Sequence, residues 1–220
     1  MLYLVSSLLA SAWSPMTPPA SMVAAPRASS VVMRDVLIAG NWKMNTVLDE
    51  AKTLAKDVAE AASKADGVGV AVCVPFPFLT EVAKVLEGTG VGLGAQDCYY
   101  EESGAYTAAV STSMLKSVGS EYVLSGHSER RATFGDTDVD VNKKTLKILE
   151  EGLKCILCIG ELKEERESGE TFAVCDTQLT EGLKGVSAEM MDSIVIAYEP
   201  VWAIGTGLTA TPEVAQETHA

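Results

Sequence analysis

Six short apolar runs recur from Asp35 onward: Val36–Ala39, Gly69–Val74, Val91–Ala95, Tyr122–Ser125, Cys155–Ile159 and Ile194–Tyr198. Each is continuous rather than alternating and rich in Val, Ile and Leu, the pattern of strands covered on both faces. Between them, residues 51–64, 78–86, 138–150 and 171–183 carry apolar residues three and four apart, as helices do. Thr211-Pro212-Glu213 opens one more helix, with Thr as its cap and Pro at its first position. Strands that alternate with helices in this way join as parallel neighbours through right-handed crossovers. The chain is therefore restricted to an α/β fold.

The first 34 residues read differently. They contain no Asp or Glu, and Arg27 and Arg34 are their basic residues. Leu2 to Ala12 has the length of a signal-peptide apolar region, too short to span a bilayer. An acid-free, Ser/Ala/Pro-rich stretch follows, as in organelle transit peptides. The junction Ala10-Ser11-Ala12-Trp13-Ser14-Pro15 resembles the bipartite leaders that direct proteins to the complex plastids of diatoms and related algae. Residues 1–34 are thus expected to be a disordered targeting leader and 35–220 one domain. The expected location is the plastid (chloroplast) stroma, with the cytoplasm as the alternative.

Composition narrows the function classes. The formal net charge of −13 disfavours nucleic acid and anionic membrane as partners. Cys73, Cys98, Cys155, Cys158 and Cys175 are odd in number and fit buried thiols in a reducing compartment. Cys155 and Cys158 match C-x-x-C in letters, but on a strand residues three apart face opposite ways. The two histidines, His127 and His219, are too few for a His-rich metal site, and no metal or cofactor is expected. The run Gly88-Thr89-Gly90-Val91-Gly92-Leu93-Gly94 leads into a strand instead of opening a helix, the wrong geometry for a phosphate cradle.

Chemistry gathers at strand ends. Asn41 and Lys43 follow the first strand, His127 the fourth and Glu199 the sixth. Any one of them alone reads as a solvated loop charge, a structural histidine or a turn residue. Several strands of one parallel sheet carrying them to the same edge is the arrangement of an active site. Glu199 is a lone carboxylate at the end of an apolar run, followed by Pro200 and a Gly-containing loop able to close over it.

Four motifs extend this. Ala39-Gly40-Asn41-Trp42-Lys43-Met44-Asn45, Ser125-Gly126-His127-Ser128-Glu129-Arg130-Arg131, Cys158-Ile159-Gly160-Glu161 and Tyr198-Glu199-Pro200-Val201-Trp202-Ala203-Ile204-Gly205-Thr206-Gly207 occur in that order. Together they resemble the triosephosphate isomerase family over Asp35 to Ala220. The resemblance implies a (β/α)8 TIM barrel, of which about six βα units lie in this chain. Such a barrel takes ~250 residues, whereas 220 − 34 = 186 follow the leader. The expectation is therefore a C-terminally incomplete chain, without the loops after the last two strands that grip phosphate in the family.

The resemblance also implies roles. Glu199 would be the base that moves a proton between adjacent carbons of a triose phosphate. His127 would polarise the carbonyl as a neutral electrophile, favoured by the backbone N–H groups that begin a helix at Ser128. Lys43 would supply positive charge to the oxyanion and phosphate, and Asn41 a hydrogen bond to substrate. Ser128 and Glu129 would place His127 and Lys43, and Cys158 would pack near the base. Pro200, Val201, Trp202, Ala203, Ile204, Gly205, Thr206 and Gly207 would form a lid that excludes water, with the Gly205 N–H on the phosphate.

The implied assembly is a homodimer in which the loop carrying Tyr106 and Thr107 reaches the partner's site. Here Ala108 and Ala109 stand where the family usually has Gly and Glu, so a common Glu partner of Arg130 is missing. Leu208 stands where Lys is usual at the lid's end. The reading of another class is a truncated, non-catalytic barrel fragment that binds isomerase subunits or a phosphate ligand.

Overall fold

A computed structural model describes residues 2–5, 36–204 and 209–219. The sheet runs in chain order β1 (Leu2–Val5), β2 (Val36–Asn41), β3 (Val68–Val74), β4 (Val91–Ala95), β5 (Tyr122–Ser125), β6 (Lys154–Ile159) and β7 (Ile194–Tyr198). From β2 to β7 every neighbouring pair is parallel. These six strands are the expected α/β set, a part of a (β/α) barrel. Most of the expected leader, 6–34, lies outside the described residues. Its Leu2–Val5 segment pairs antiparallel with β2, Leu2 opposite Gly40 and Val5 opposite Leu37.

The principal helices are α1 (Leu48–Ala62), α2 (Leu79–Leu86), α5 (Asp138–Glu150), α7 (Thr171–Gly182) and α8 (Pro212–His219). Shorter pieces are α3 (Thr112–Ser117), α4 (Ser128–Phe134) and α6 (Lys163–Glu167). Helix α1 starts before Ala51 because Glu50 accepts the Val47 N–H at 3.0 Å, and it buries Ala51, Ala55 and Ala59 along one stripe. Helix α5 opens on a reciprocal cap: Asp140 N donates to Thr137 Oγ1 and Thr137 N to Asp140 Oδ2. At α8, Val214 N donates to Thr211 Oγ1.

Two apolar layers result. Val72, Val74, Leu93, Val123, Leu157 and Ile159 pack outward with helix residues such as Val82, Leu115 and Ile148. Ala39, Ala71, Cys73, Leu124, Ile156, Cys158 and Ala197 fill the inner layer. Cys155 and Cys158 do fall in opposite layers, and all five cysteines are free thiols. The glycine run before and within β4 has a packing reason. A Cβ at Gly92 would sit 2.7 Å from the Tyr122 ring, and one at Gly94 2.7 Å from Cys73 Sγ. Among the described residues no helix is long and apolar enough to cross a membrane.

Candidate active site

In-register parallel pairing brings the strand ends level. Asn41 pairs with Cys73, Val74 with Ala95, Ser125 with Leu157 and Ile159 with Tyr198. Residues just past these positions must share one edge. Asn41, His127 and Glu199 are all buried there.

The β5 side is built on the turn into α4. Glu129 N donates to His127 Nδ1 at 3.1 Å. A ring nitrogen that accepts a backbone N–H carries no proton, so the proton of the neutral imidazole lies on Nε2. His127 Nε2 is 2.9 Å from Glu199 Oε1, and Ser128 N donates to Glu199 Oε2 at 3.1 Å. Ser128 Oγ is buried beside them with no hydrogen-bond partner among the described residues.

The β2 side is strained. Lys43 adopts φ 53°, a left-handed conformation that costs an L-residue about 1–2 kcal/mol. Its N–H donates to Asn41 Oδ1 at 2.9 Å and its carbonyl accepts from Gln96 Nε2 at 2.9 Å. Lys43 Nζ meets Glu129 Oε1 at 2.8 Å. A cavity of ≈ 240 Å³ opens over Asn41, Lys43, Gln96, His127 and Glu129.

On the β6 and β7 side the backbones nearly touch. A Cβ at Gly160 would lie 1.8 Å from the Glu199 carbonyl oxygen, so only glycine allows Glu199 its place. Gln178 holds Gly160 from both sides, accepting its N–H at 2.8 Å and donating to its carbonyl at 3.3 Å. Next to it Glu161 is fully buried. It accepts from Tyr198 Oη at 2.9 and 3.0 Å, from Arg166 Nη1 at 3.1 Å and from Thr171 Oγ1 at 3.3 Å. The Arg166 guanidinium stacks over Trp202, 4.8 Å from the ring centroid.

Of the expected lid, Pro200 to Ile204 form a 3₁₀ turn at Val201–Ala203 and its flanks, while Gly205, Thr206, Gly207 and Leu208 lie outside the described residues. Cys158 is buried in the inner layer; burial pushes its thiol pKa well up, and the Glu199 carboxylate adds to the rise. Tyr106 and Thr107 are exposed. Tyr106 packs on Tyr99, 4.9 Å between centroids. Ala108 is left-handed at φ 73°, at the position where glycine was expected.

Several partners escape a reading of the sequence. Gln96 after β4, Arg166 on α6, Gln178 on α7 and Tyr198 on β7 reach the site only through side-chain contacts made on folding. Arg130 does not stand unpaired for want of a Glu at 109. It meets Asp97 at 3.2 Å and Asp136 at 3.1 Å and lies over Phe134. Buried Lys144 completes the cluster, paired with Asp97 at 2.8 Å and with Asp136. Desolvation pushes the Asp97 carboxyl up in spite of these cations.

Residues 36–220 match the family model described as triosephosphate isomerase. The triosephosphate isomerase of Alkaliphilus oremlandii is 53% identical over 184 residues, 84% of this chain and 74% of the relative. That of Chlorobium luteolum is 52% identical over 188 residues, 85% and 74% of the two chains. That of Aquifex aeolicus is 50% identical over 183 residues, 83% and 74%.

Proposed function

The chain belongs to the triosephosphate isomerase family, and from that premise we propose how its residues share the reaction and where it takes place. The reaction is the interconversion of dihydroxyacetone phosphate and D-glyceraldehyde 3-phosphate. In our reading Glu199 removes a proton from C1 of dihydroxyacetone phosphate while the C2 carbonyl oxygen accepts a hydrogen bond from His127 Nε2–H. The enediolate forms with its negative charge facing Lys43 Nζ and the Asn41 amide. Glu199 returns the proton to C2 and the hydroxyl proton moves from O1 to O2, so no atom is gained or lost.

The observation that carries this reading is the Glu129 N–H on His127 Nδ1. It leaves a proton-bearing Nε2 within 2.9 Å of the carboxylate that would act as base. Substrate would enter between the two, its carbonyl oxygen taking Nε2 while Glu199 turns to the adjacent carbon. Residues 200–207 would then close and keep water from the enediolate. Glu199→Gln tests the assignment. Turnover should fall by about 10³-fold or more while 3-phosphoglycerate still raises Tm; retained turnover would overturn it.

We extend the reading to a homodimer in which Tyr106 and Thr107 approach the partner's site, supported by their exposure. Sedimentation at equilibrium tests it, a monomer at micromolar concentration being the contrary result. The acid-free composition of residues 1–34 supports a plastid address, for carbon metabolism there including the Calvin cycle. A fluorescent fusion carrying 1–34 should enter plastids, and one that stays in the cytoplasm would refute this part.

A further inference from the structure

Lys43 is the only residue of the proposed charge-bearing set whose backbone is left-handed among the described residues, at φ 53°. An L-residue does not keep that conformation unaided, because its Cβ crowds the following carbonyl. Something must hold it, and both hydrogen-bonding groups of its backbone are held. Its N–H donates to Asn41 Oδ1, its own neighbour on β2. Its carbonyl accepts from Gln96 Nε2, which comes from the end of β4.

Gln96 does more than touch Lys43. The same Nε2 donates at 3.0 Å to the Cys73 carbonyl in β3, and that carbonyl also accepts the Trp42 N–H at 3.0 Å. Two carbonyl oxygens face one end of the side chain, so only the amide NH₂ satisfies both. One side chain therefore ties the ends of β3 and β4 to the loop after β2. Met cannot make either bond, and Glu would set a carboxylate against both carbonyls.

We propose that Gln96 is a positioning residue for the isomerisation: it keeps Lys43 in its left-handed conformation so that Nζ points into the cavity beside Glu129 and His127. This rests on the charge-stabilising role given above to Lys43. Gln96 touches no reacting atom in this scheme and acts through Lys43 alone.

The test combines a structure with a double-mutant cycle. In the crystal structure of Gln96→Met, Lys43 should leave the left-handed region and Nζ should part from Glu129. Kept φ and kept contact overturn the proposal, whatever the activity. In kinetics, Gln96→Met should lower kcat/KM by about 10–100-fold, the scale of a small displacement of a charged group. In a Lys43→Ala background the same change should cost less than about twofold, because the two act as one unit. An equal loss in both backgrounds would show a merely structural role and overturn it. If the parent chain does not turn over, the reaction assignment fails while the crystal arm still decides this inference. If Gln96→Met does not fold, scalar couplings across the hydrogen bonds of the unaltered chain decide instead. Coupling from the Gln96 side-chain nitrogen to the Lys43 and Cys73 carbonyl carbons is expected, and its absence refutes the tie.

Discussion

Glu161 and Glu199 stand at the ends of neighbouring strands β6 and β7, both buried, and they are held in different ways. Glu161 takes an arginine guanidinium, a tyrosine hydroxyl on both oxygens and a threonine hydroxyl. All three donors lie within its own side of the sheet and none belongs to the proposed chemistry. Glu199 meets the Ser128 N–H and His127 Nε2, from the other side of the edge. His127 Nε2 is the group that the substrate carbonyl would also take in the proposed reaction. A carboxylate saturated by local donors is a fixture. One that shares its contact with a would-be electrophile can be displaced, and displacement is what a base in this position requires.

The largest test of that contrast exchanges charge at each site. Glu199→Gln should remove about 10³-fold or more of kcat and leave the unfolding midpoint nearly unchanged. Glu161→Gln should do the reverse. It weakens charge-assisted bonds to Arg166 and Tyr198 and should destabilise by about 1.5–3 kcal/mol, with kcat per folded molecule changed only a few-fold. Steady-state kinetics beside urea unfolding reads both. Equal kinetic losses would erase the distinction between the two glutamates.

A smaller effect isolates one donor. Tyr198→Phe deletes the hydroxyl that bridges both Glu161 oxygens, leaving Arg166 and Thr171 to hold the carboxylate. Stability should drop by about 1–2 kcal/mol, the usual effect of losing a buried partner. Trp202, stacked on the Arg166 that also holds Glu161, should loosen with it, seen as a shift in tryptophan fluorescence. No loss of stability in urea would mean that Arg166 and Thr171 suffice to hold Glu161.

The same contrast explains which parts were legible in advance. The strands stood out because burial on both faces makes them continuous apolar runs, and their ends differ from expectation by only a few residues. Strand β2 runs on to Asn41 because its polar end pairs with Cys73. The pieces α3, α4 and α6 are shorter than two turns of helix, too short for a period of 3.6 to show. Asn41, Lys43, His127 and Glu199 were readable as strand-end residues, since parallel pairing in register dictates their common edge. Glu161's partners were not. Arg166 and Thr171 lie five and ten residues further along, and Tyr198 comes from the next strand. The Asp97–Lys144–Asp136–Arg130 cluster is invisible for the same reason: its members come from the loop after β4, from α4, from the loop after α4 and from α5, and meet only after folding.

The finest test uses the buried thiol beside each glutamate. Burial pushes Cys175 up to about 11, with Glu161 and Glu165 adding to the rise. Burial raises Cys158 well above 9.0, and Glu199 adds to it. In the unfolded chain both thiols ionise near the ordinary value of 9.0. Each folded pKa is raised, so each contribution to stability is complete below pH 9 and is lost as pH climbs toward the folded value. Within that window one such thiol lowers stability by about 1.4 kcal/mol per pH unit. Cys175→Ala should flatten the alkaline limb by one proton between pH 9 and about 11 and not beyond. Cys158→Ala should flatten it as well, beginning at the same pH 9, because burial among inner-layer strand residues next to the proposed base raises that thiol well above 9.0. Urea unfolding at stepped pH measures both slopes. An alkaline limb that either substitution leaves unchanged above pH 9 would show that the thiol beside that glutamate is not held protonated by its burial.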